Sequence, residues 1–298
     1  MNDPVARNGA DPDEPPGRPG ATATLPPLRS KPALVVSHVP GPVFGPLAEA
    51  GAMVQLLGRV CWSALRHPTG YWRAVKDEVY NVLRLCWFPL ILSAFTFCLL
   101  FAILALTFLI LIGASNRYGQ YFLIFNLRAF SPWINAMVVA GVVGAAMTAD
   151  LGARKIREEL DAFMVLGIDP VRELVLPRII TAAVMTCLLN LVSVVVGIVA
   201  GLVGVVYFGQ VAPAIYFSTL FSNLTTIELG YALLKSALFG VAIGVICSYK
   251  GITSRGGAIG VGRAVNQAVV LSFAVIFIID FFFTATMLGW APSLNTAR

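Results

Sequence analysis

Residues 148–178 read TADLGARKIREELDAFMVLGIDPVRELVLPR, a charged stretch that lies between two long apolar runs. From Leu151 to Gly167 it contains no proline, and Gly152 is its only internal glycine, so this part can be helical. Gly167 supplies a C-terminal stop, and the Asp-Pro pair at 169–170 is typical of the start of a new helix. The stretch therefore predicts a helix and a sharp turn between two membrane spans.

The predicted helix has two different faces. Arg154, Glu158 and Asp161 fall at positions i, i+4 and i+7 on one face. A short amphipathic helix between two spans can dock into a groove on a soluble partner and pass the partner's motion to both spans. It can equally be an ordinary surface connection, and periodicity alone does not separate the two interpretations. The side chains of the opposite, apolar face are Ile156, Leu160, Phe163 and Met164.

The composition is typical of an integral membrane protein. Of the 298 residues 58% are hydrophobic and only 12% are charged, and the mean hydropathy is +0.82. Residues 1–42 are rich in proline, glycine and charge, and they predict a disordered tail that lacks the apolar core of a signal peptide. The five cysteines are scattered singly, which predicts neither a metal site nor a disulfide framework. We attribute the net charge of +6 to the orientation of the chain in the membrane rather than to nucleic-acid binding.

Long runs without charge predict the first two membrane spans. Residues 85–116 carry no charge, and a span needs about 20 residues. We place the first span over residues 88–112. A second run, 129–149, begins at Ser131 and Pro132, which we interpret as an N-cap and first-turn pair that starts the second span.

The remaining runs predict three further spans. The 49 residues from 179 to 227 carry no charge and are too long for one helix. Gly209, Pro213 and Asn223 mark the predicted break, so the third span ends near residue 208 and the fourth begins near residue 226. The fifth span is predicted over residues 265–288. A short tail, 291–298, follows it.

The positions of the basic residues predict the orientation. Nine Lys or Arg residues precede the first span, five lie between the second and third, and three lie between the fourth and fifth, which makes 17 of the 21. Short basic connections stay in the cytoplasm. The N-terminus is therefore predicted to be cytoplasmic, and with five spans the C-terminus is external.

Residues 43–84 mix apolar positions at helical spacing with aromatic and basic side chains. Trp62, Tyr71 and Trp72 are interspersed with arginine and lysine, which favours amphipathic helices that lie in the membrane interface. The alternative is a helix that packs on the cytoplasmic side of the spans.

Two blocks of sequence carry a family resemblance. The block ADLGARKIREELDAFMVLGIDPVRELVLPR closely resembles the signature of the MlaE/YrbE permease family, the membrane subunits of ABC-type lipid transporters associated with MCE-domain proteins. A second block, KSALFGVAIGVICSYKGITSRGGAIGVGRAVNQAVV (235–270), is similar to the family's fourth span, cytoplasmic loop and start of the fifth span. The likeness covers about residues 45–290. The proline-rich tail and the ADLGAR sequence resemble those of the actinobacterial YrbE branch.

The resemblance implies both a fold and partners. The fold would be an all-α, MlaE-like ABC permease in the plasma (inner) membrane, with an N-terminal interfacial elbow helix, a five-span permease domain over residues 85–290 and a coupling helix at about 153–167. The chain would pair with a second YrbE-type permease, beneath an assembly of Mce proteins, and would pass lipid, with import the expected direction. It would hold no cofactor itself, since ATP and Mg would be bound by a separate, MceG-like ABC ATPase dimer. The residues expected to couple to that ATPase are Arg154, Arg157, Glu158, Glu159, Asp161, Phe163, Leu166, Gly167, Asp169 and Pro170.

Charges inside predicted spans are costly and are therefore candidates for function. Lys235 lies in span four, Asp280 in span five, and Asp150 closes span two. In the family, charged groups at matching positions cluster near the substrate cavity, so we predict that Lys235 faces the cavity or a subunit interface with Asp280 or Asp150 as its partner. The alternative is an ion pair that only locks helices together.

Paired glycines lie in two of the predicted spans, and sequence motifs for phosphate binding and catalysis are missing. Gly197 with Gly201, and Gly240 with Gly244, form GxxxG pairs that indicate close helix packing or a dimer contact. The glycine-rich stretch 256–262 has no GK[ST] ending, so we expect a tight turn rather than a phosphate site. No histidine lies in a span, which disfavours a membrane-embedded enzyme. A channel or scaffold without an ATPase stays open as an alternative.

Overall fold

The fold was analysed in a computed structural model that describes residues 44–66, 72–209, 213–220 and 226–290. Within these ranges the chain is helical apart from short turns and contains no strand. Five helical segments are long and apolar enough to cross a membrane, which confirms the predicted all-α membrane architecture. They are Trp72–Leu111, Ser115–Ile156, Val171–Phe208, Thr226–Ile252 and Gly257–Met287, here called spans one to five.

Ten α-helices make up these segments and their connections. Short π-helical segments at 126–130, 140–144 and 171–175, and a 3-10 turn at Ser115–Arg117, join several of them without a break. In chain order the helices are α1 (Phe44–Arg66), α2 (Trp72–Leu111), α3 (Tyr118–Phe125), α4 (Ser131–Val139), α5 (Ala145–Ile156), α6 (Glu159–Val165), α7 (Leu176–Phe208), α8 (Pro213–Leu220), α9 (Thr226–Ile252) and α10 (Gly257–Trp290).

The first span is longer than the sequence suggests. Its helix, α2, has 40 residues and already begins at Trp72, so residues 72–84 belong to the span helix rather than to a separate interfacial element. At 1.5 Å per residue α2 extends about 60 Å, roughly twice the hydrocarbon thickness of a bilayer. Pro89 lies inside the helix without ending it, and its carbonyl accepts a hydrogen bond from the Ser93 hydroxyl at 2.6 Å. One end of α2 must therefore project beyond the membrane core.

Helix α1 packs along one face on the ends of spans three and four. Met53, Leu56 and Val60 are buried against the start of α7 and the end of α9. Val54 and Trp62 are exposed on the opposite side. One face of α1 therefore packs on the spans, and the position of α1 relative to the membrane interface stays a prediction. Residues 1–43 and the C-terminal tail, 291–298, lie outside the described residues.

The predicted start of span two at Ser131 is wrong, because the chain is already helical from residue 115. Phe130, at the N-cap position of α4, has α-helical dihedral angles, and the Ser131 hydroxyl donates to Asn126 Oδ1 at 2.7 Å instead of capping a helix. A π-helical segment precedes Pro132. Such a wider turn accommodates the missing N–H and the ring of proline, so the helix passes through a position that normally begins one.

The single amphipathic helix predicted over residues 151–167 is divided in the structure. Helix α5 continues span two to Ile156, and α6 begins only at Glu159. Between them Glu158 adopts a left-handed conformation with φ of 59°, which stops the helix. We call residues 154–170 the hairpin. The expected helical segment is therefore a short helix on a turn, separate from the span helix.

The predicted end of the hairpin matches the structure. Gly167 has φ of 75°, and the N–H groups of Gly167 and Ile168 donate to the carbonyls of Met164 and Phe163 at 3.1 and 2.9 Å. This is the glycine-dependent C-terminal cap known as the Schellman motif. Asp169 Oδ1 then accepts the Val171 N–H at 3.0 Å, and the chain enters span three.

The glycine-rich turn before span five is shorter than predicted. The turn ends at Gly256, and α10 begins at Gly257, eight residues before the predicted start of the span. A Cβ on Gly260 would lie 1.8 Å from the carbonyl oxygen of Arg255, so this position accepts only glycine. The glycines therefore form the first turn of a helix and its close contact with the preceding loop.

Helix α8, between spans three and four, was not foreseen from the sequence. It packs against α3, and its Tyr216 is buried. Burial raises the pKa of Tyr216 well above the ordinary tyrosine value, so the hydroxyl stays neutral and donates to the Ile198 carbonyl at 3.0 Å. Helices α3 and α8 thus cover one end of the bundle.

The centre of the bundle is span three. Helix α7 packs against α2, α4 and α9, while α10 packs against α9 and α5 at the periphery. In the most apolar stretch of 18 residues of α10, only 17% is buried within this chain, compared with 50% in the corresponding stretch of α9. Span five therefore presents most of its surface outward.

Candidate functional site

Lys235 on α9 is buried in the bundle and pairs with Asp280 on α10. Its Nζ lies 2.5 Å from Asp280 Oδ1, and it donates to the Arg128 carbonyl at 2.9 Å and to Thr284 Oγ1 at 3.2 Å. These three oxygens match the three N–H donors of an ammonium group. Of the two partners expected from the sequence, the structure brings Asp280 to Lys235 and leaves Asp150 at the other end of span two.

A second ion pair adjoins the first. Arg128 Nη2 lies 2.5 Å from Glu228 Oε1, and the Glu228 side chain is only 3% exposed. Since the Arg128 carbonyl also accepts from Lys235, the two pairs form one network. We call Arg128, Glu228, Lys235 and Asp280 the α9 cluster.

Sequence reasoning missed Arg128 as a site residue. It lies just before the uncharged run 129–149 and therefore outside the predicted second span. One signal pointed to half of the cluster: Glu228 and Lys235 are seven residues apart, which places them on one helical face. The partner of Glu228 could not be found this way, because it lies 100 positions away in sequence.

The α9 cluster borders a cavity between spans two, four and five. Polar groups form one part of its wall and aromatic or apolar side chains form the rest. Ligand sites commonly combine an apolar wall with a few convergent polar groups. The lining residues are Arg128, Glu228, Tyr231, Ala232, Lys235, Phe283, Thr284 and Met287.

The hairpin carries an exposed apolar tip. Met164, Val165 and Leu166 are exposed, Val165 to 87% and Leu166 to 72%. The amphipathic prediction is only partly matched, because Leu160 is buried whereas Ile156 and Met164 of the same predicted apolar face are exposed. The apolar face is thus directed outward at the end of α6.

Charged side chains of the hairpin pair with each other at the start of α6. Arg157 Nε lies 2.7 Å from Glu159 Oε1, and Lys155 Nζ lies 3.0 Å from Asp161 Oδ1. Phe163 is half-buried. Both pairs connect residues on the two sides of Glu158, across the turn.

A second ion network connects the hairpin to the spans. Arg178, near the start of α7, donates through Nη2 to Asp150 Oδ2, and its Nε lies 4.0 Å from Glu78 Oε1 on α2. The same Asp150 oxygen accepts from Arg154 Nε at 3.0 Å. We call Glu78, Asp150, Arg154 and Arg178 the hairpin cluster. Asp150 was expected at the cavity and belongs instead to this network.

The four candidate packing glycines all face helices of this chain. A Cβ on Gly197 would lie 2.4 Å from Asn126 Nδ2, and one on Gly201 would lie 2.4 Å from the Phe122 ring. On α9, Gly240 and Gly244 approach the backbone of span three at residues 179–183. These contacts favour helix packing within the chain over a dimer contact.

No metal-binding group of three His, Cys, Asp or Glu side chains occurs in the part of the chain that the structure describes.

A family model described as Permease MlaE matches residues 75–286. The chain belongs to the MlaE permease family. With five spans, this MlaE family member is a multi-pass membrane protein. The matched region contains both ion clusters and the hairpin. The YrbE branch suggested by the tail stays a prediction.

Relatives of this MlaE family chain carry permease names. A probable ABC transporter permease protein of Synechocystis sp. is 36% identical over 176 residues, which cover 59% of this chain and 66% of the relative. A probable ABC transporter permease protein of Rickettsia conorii is 36% identical over 157 residues, covering 53% and 61%. The chloroplastic protein TRIGALACTOSYLDIACYLGLYCEROL 1 of Arabidopsis thaliana is 34% identical over 171 residues, covering 57% and 49%. The chain thus matches between about half and two thirds of the length of these relatives.

Proposed function

We propose that this protein is the membrane permease subunit of an ABC transporter that moves lipid. A separate ATPase dimer binds ATP and Mg, a second YrbE-type permease completes the membrane part, and Mce proteins form the external assembly. The observation that carries the proposal is the hairpin, an exposed apolar tip joined by ion pairs to the spans. The names of the relatives support the ABC part of the proposal.

The hairpin has the properties of a docking element. Three consecutive large apolar side chains at its tip would be unfavourable in water unless a partner covered them. Its paired charges lie at the start of α6 and the apolar tip at its end, so a soluble partner can recognise the hairpin with an apolar groove and a polar rim. In the proposed orientation the N-terminus and the hairpin are cytoplasmic, where an ATPase meets ATP.

The periphery of span five supports a second permease. Its exposed surface is apolar and rich in aromatic side chains, and it adjoins the α9 cluster. A second permease against this surface would enclose a space between the two subunits beside the α9 cluster, and an enclosed, mostly apolar space of sufficient size suits an alkyl chain. Import is the proposed direction. The exposed side chains are Phe277, Ile278, Phe281 and Phe282.

The partner is tested by photo-crosslinking in native membranes. A photoreactive amino acid replaces Val165 or Leu166 in one set of variants, and Leu160, which is buried at the base of α6, in the matched control. We expect the tip variants to crosslink to an ABC ATPase identified by mass spectrometry, and the control not to. An intact chain that gives no ATPase crosslink at either tip position contradicts the proposal and favours the channel or scaffold alternative.

The role of Lys235 is tested in the purified complex. We expect Lys235→Ala to lower lipid transport about tenfold, the effect of roughly 1.4 kcal/mol in an activation barrier, while assembly and basal ATP hydrolysis persist. The exposed Lys76→Ala on α2 is the control and should transport normally. If Lys235→Ala instead prevents assembly, the α9 cluster has a structural role.

A further inference from the structure

One buried guanidinium connects three spans at the hairpin end of the bundle. The Arg178 side chain is 10% exposed and reaches Asp150 of span two through Nη2 and Glu78 of span one through Nε. Arg178 itself lies near the start of span three. A planar guanidinium offers N–H groups in several fixed directions, so it can hold two carboxylates in a defined relative position.

The network continues from Asp150 into the hairpin. Arg154 Nε binds the Asp150 oxygen that Arg178 also binds, and Arg154 Nη1 lies 3.6 Å from Glu159 Oε2 at the start of α6. A continuous series of charged contacts therefore runs from α6 through Asp150 and Arg178 to α2.

A break in the helical backbone between α5 and α6 makes these side-chain contacts important for coupling α6 to the spans. A straight helix from span two into the hairpin would transmit movement through its own hydrogen bonds. Here the left-handed Glu158 separates α5 from α6, so on this side of α6 the rigid backbone connection is interrupted. On this side of α6, side-chain contacts across the break can therefore supplement the backbone in carrying movement of α6 to the spans, since coupling between sites travels through packed side chains and ion-pair networks.

We propose that Arg178 is the positioning residue that transmits displacement of α6 to spans one, two and three together. This inference rests on the proposed function, in which a separate ATPase displaces the hairpin. Removing Arg178 should leave the fold in place, because Asp150 keeps Arg154 as a partner and is 43% exposed, and because Glu78 is 26% exposed, so both remaining carboxylates keep contact with solvent.

The test uses the whole purified complex in proteoliposomes with ATP. Movement of fluorescent fatty-acid, cholesterol and phosphatidylethanolamine analogues is measured per ATP hydrolysed, together with the amount of assembled complex. We expect Arg178→Met to lower this ratio about three- to tenfold at near-normal assembly. Arg178→Lys should restore part of the ratio, because an ammonium group can hold Asp150 but does not span both carboxylates.

Two control variants calibrate the result. Glu78→Gln removes only the 4.0 Å contact and should lower the ratio less than Arg178→Met does. Arg84→Met removes an exposed arginine of α2 and should leave the ratio unchanged.

The outcomes separate the inference from the proposed function. If the wild-type complex moves none of the analogues with ATP, the proposed function fails and the positioning role fails with it. If the wild-type complex moves lipid and Arg178→Met moves as much per ATP, only the positioning role is overturned. It is also overturned if Arg178→Met lowers the amount of complex without lowering the ratio, because Arg178 would then only hold the fold together.

Discussion

The α9 cluster and the hairpin cluster each connect charged side chains from three spans, but they lie in different surroundings. Glu228 and Lys235 in the α9 cluster are 3% exposed, whereas Asp150 and Arg154 in the hairpin cluster are 43% and 33% exposed. Burial makes the loss of one partner costly, because the remaining charge has no water to replace it. We therefore expect the most buried members of the α9 cluster to be more sensitive to the loss of a partner than the exposed members of the hairpin cluster.

The largest effect is expected at Glu228. Replacing Glu228 by Ala leaves the Arg128 guanidinium without its carboxylate inside the bundle, and breaking a buried ion pair this way costs about 3–5 kcal/mol of unfolding free energy. Unfolding in mixed detergent and denaturant, followed by circular dichroism, measures this change. A loss below about 1 kcal/mol would show that the α9 cluster behaves like an exposed one.

The double variant Arg128→Met with Glu228→Met is the control for that prediction. Replacing both partners of a buried pair by apolar side chains is often neutral, so this variant should unfold with a free energy close to that of the wild type. If it is as unstable as Glu228→Ala, the loss reflects packing rather than the broken ion pair.

A smaller effect is expected at Asp150. Asp150→Asn removes the charge that Arg178 and Arg154 share, but the site is partly solvated, so we expect a loss of about 1–2 kcal/mol of unfolding free energy. The loss should shrink when salt is raised to about 1 M, because screening acts on exposed charges. The effect of Glu228→Ala should not change with salt, and equal salt responses at both sites would contradict the comparison.

The smallest effect is expected at Arg157. Its ion pair with Glu159 is largely exposed, and such pairs contribute within about 0.5 kcal/mol, so Arg157→Ala should unfold like the wild type. The same unfolding assay measures it. A loss above about 1 kcal/mol would mean that the turn around Glu158 depends on this pair far more than exposed pairs normally allow.

The sequence predicted most clearly those features that depend on chain composition. The number of spans, the end of span three at Phe208 and the start of span four at Thr226 all follow from uncharged runs and their interruptions. Gly167 was predicted as a helix stop because its left-handed conformation is a local property of glycine.

Predictions from the local sequence were wrong or incomplete where the conformation or the partner of a residue depends on other parts of the fold. Ser131 and Pro132 have the composition of a helix start, yet a π-helical segment carries the chain through them. The left-handed break at Glu158 could not be predicted, because glutamate is not a residue type that favours this conformation. Arg128 lies outside the predicted spans, and nothing in its own segment indicates a partner on α9.

The sequence by itself determined that this protein is a helical membrane protein with five spans and a charged hairpin, because hydropathy, charge spacing and helix stops act over short distances along the chain. Only the tertiary structure decided that Lys235 pairs with Asp280, that Asp150 pairs with Arg178 and that Arg128 belongs to the α9 cluster. The reason is physical: a charge near apolar surroundings demands a partner, but which partner it finds depends on how the spans pack.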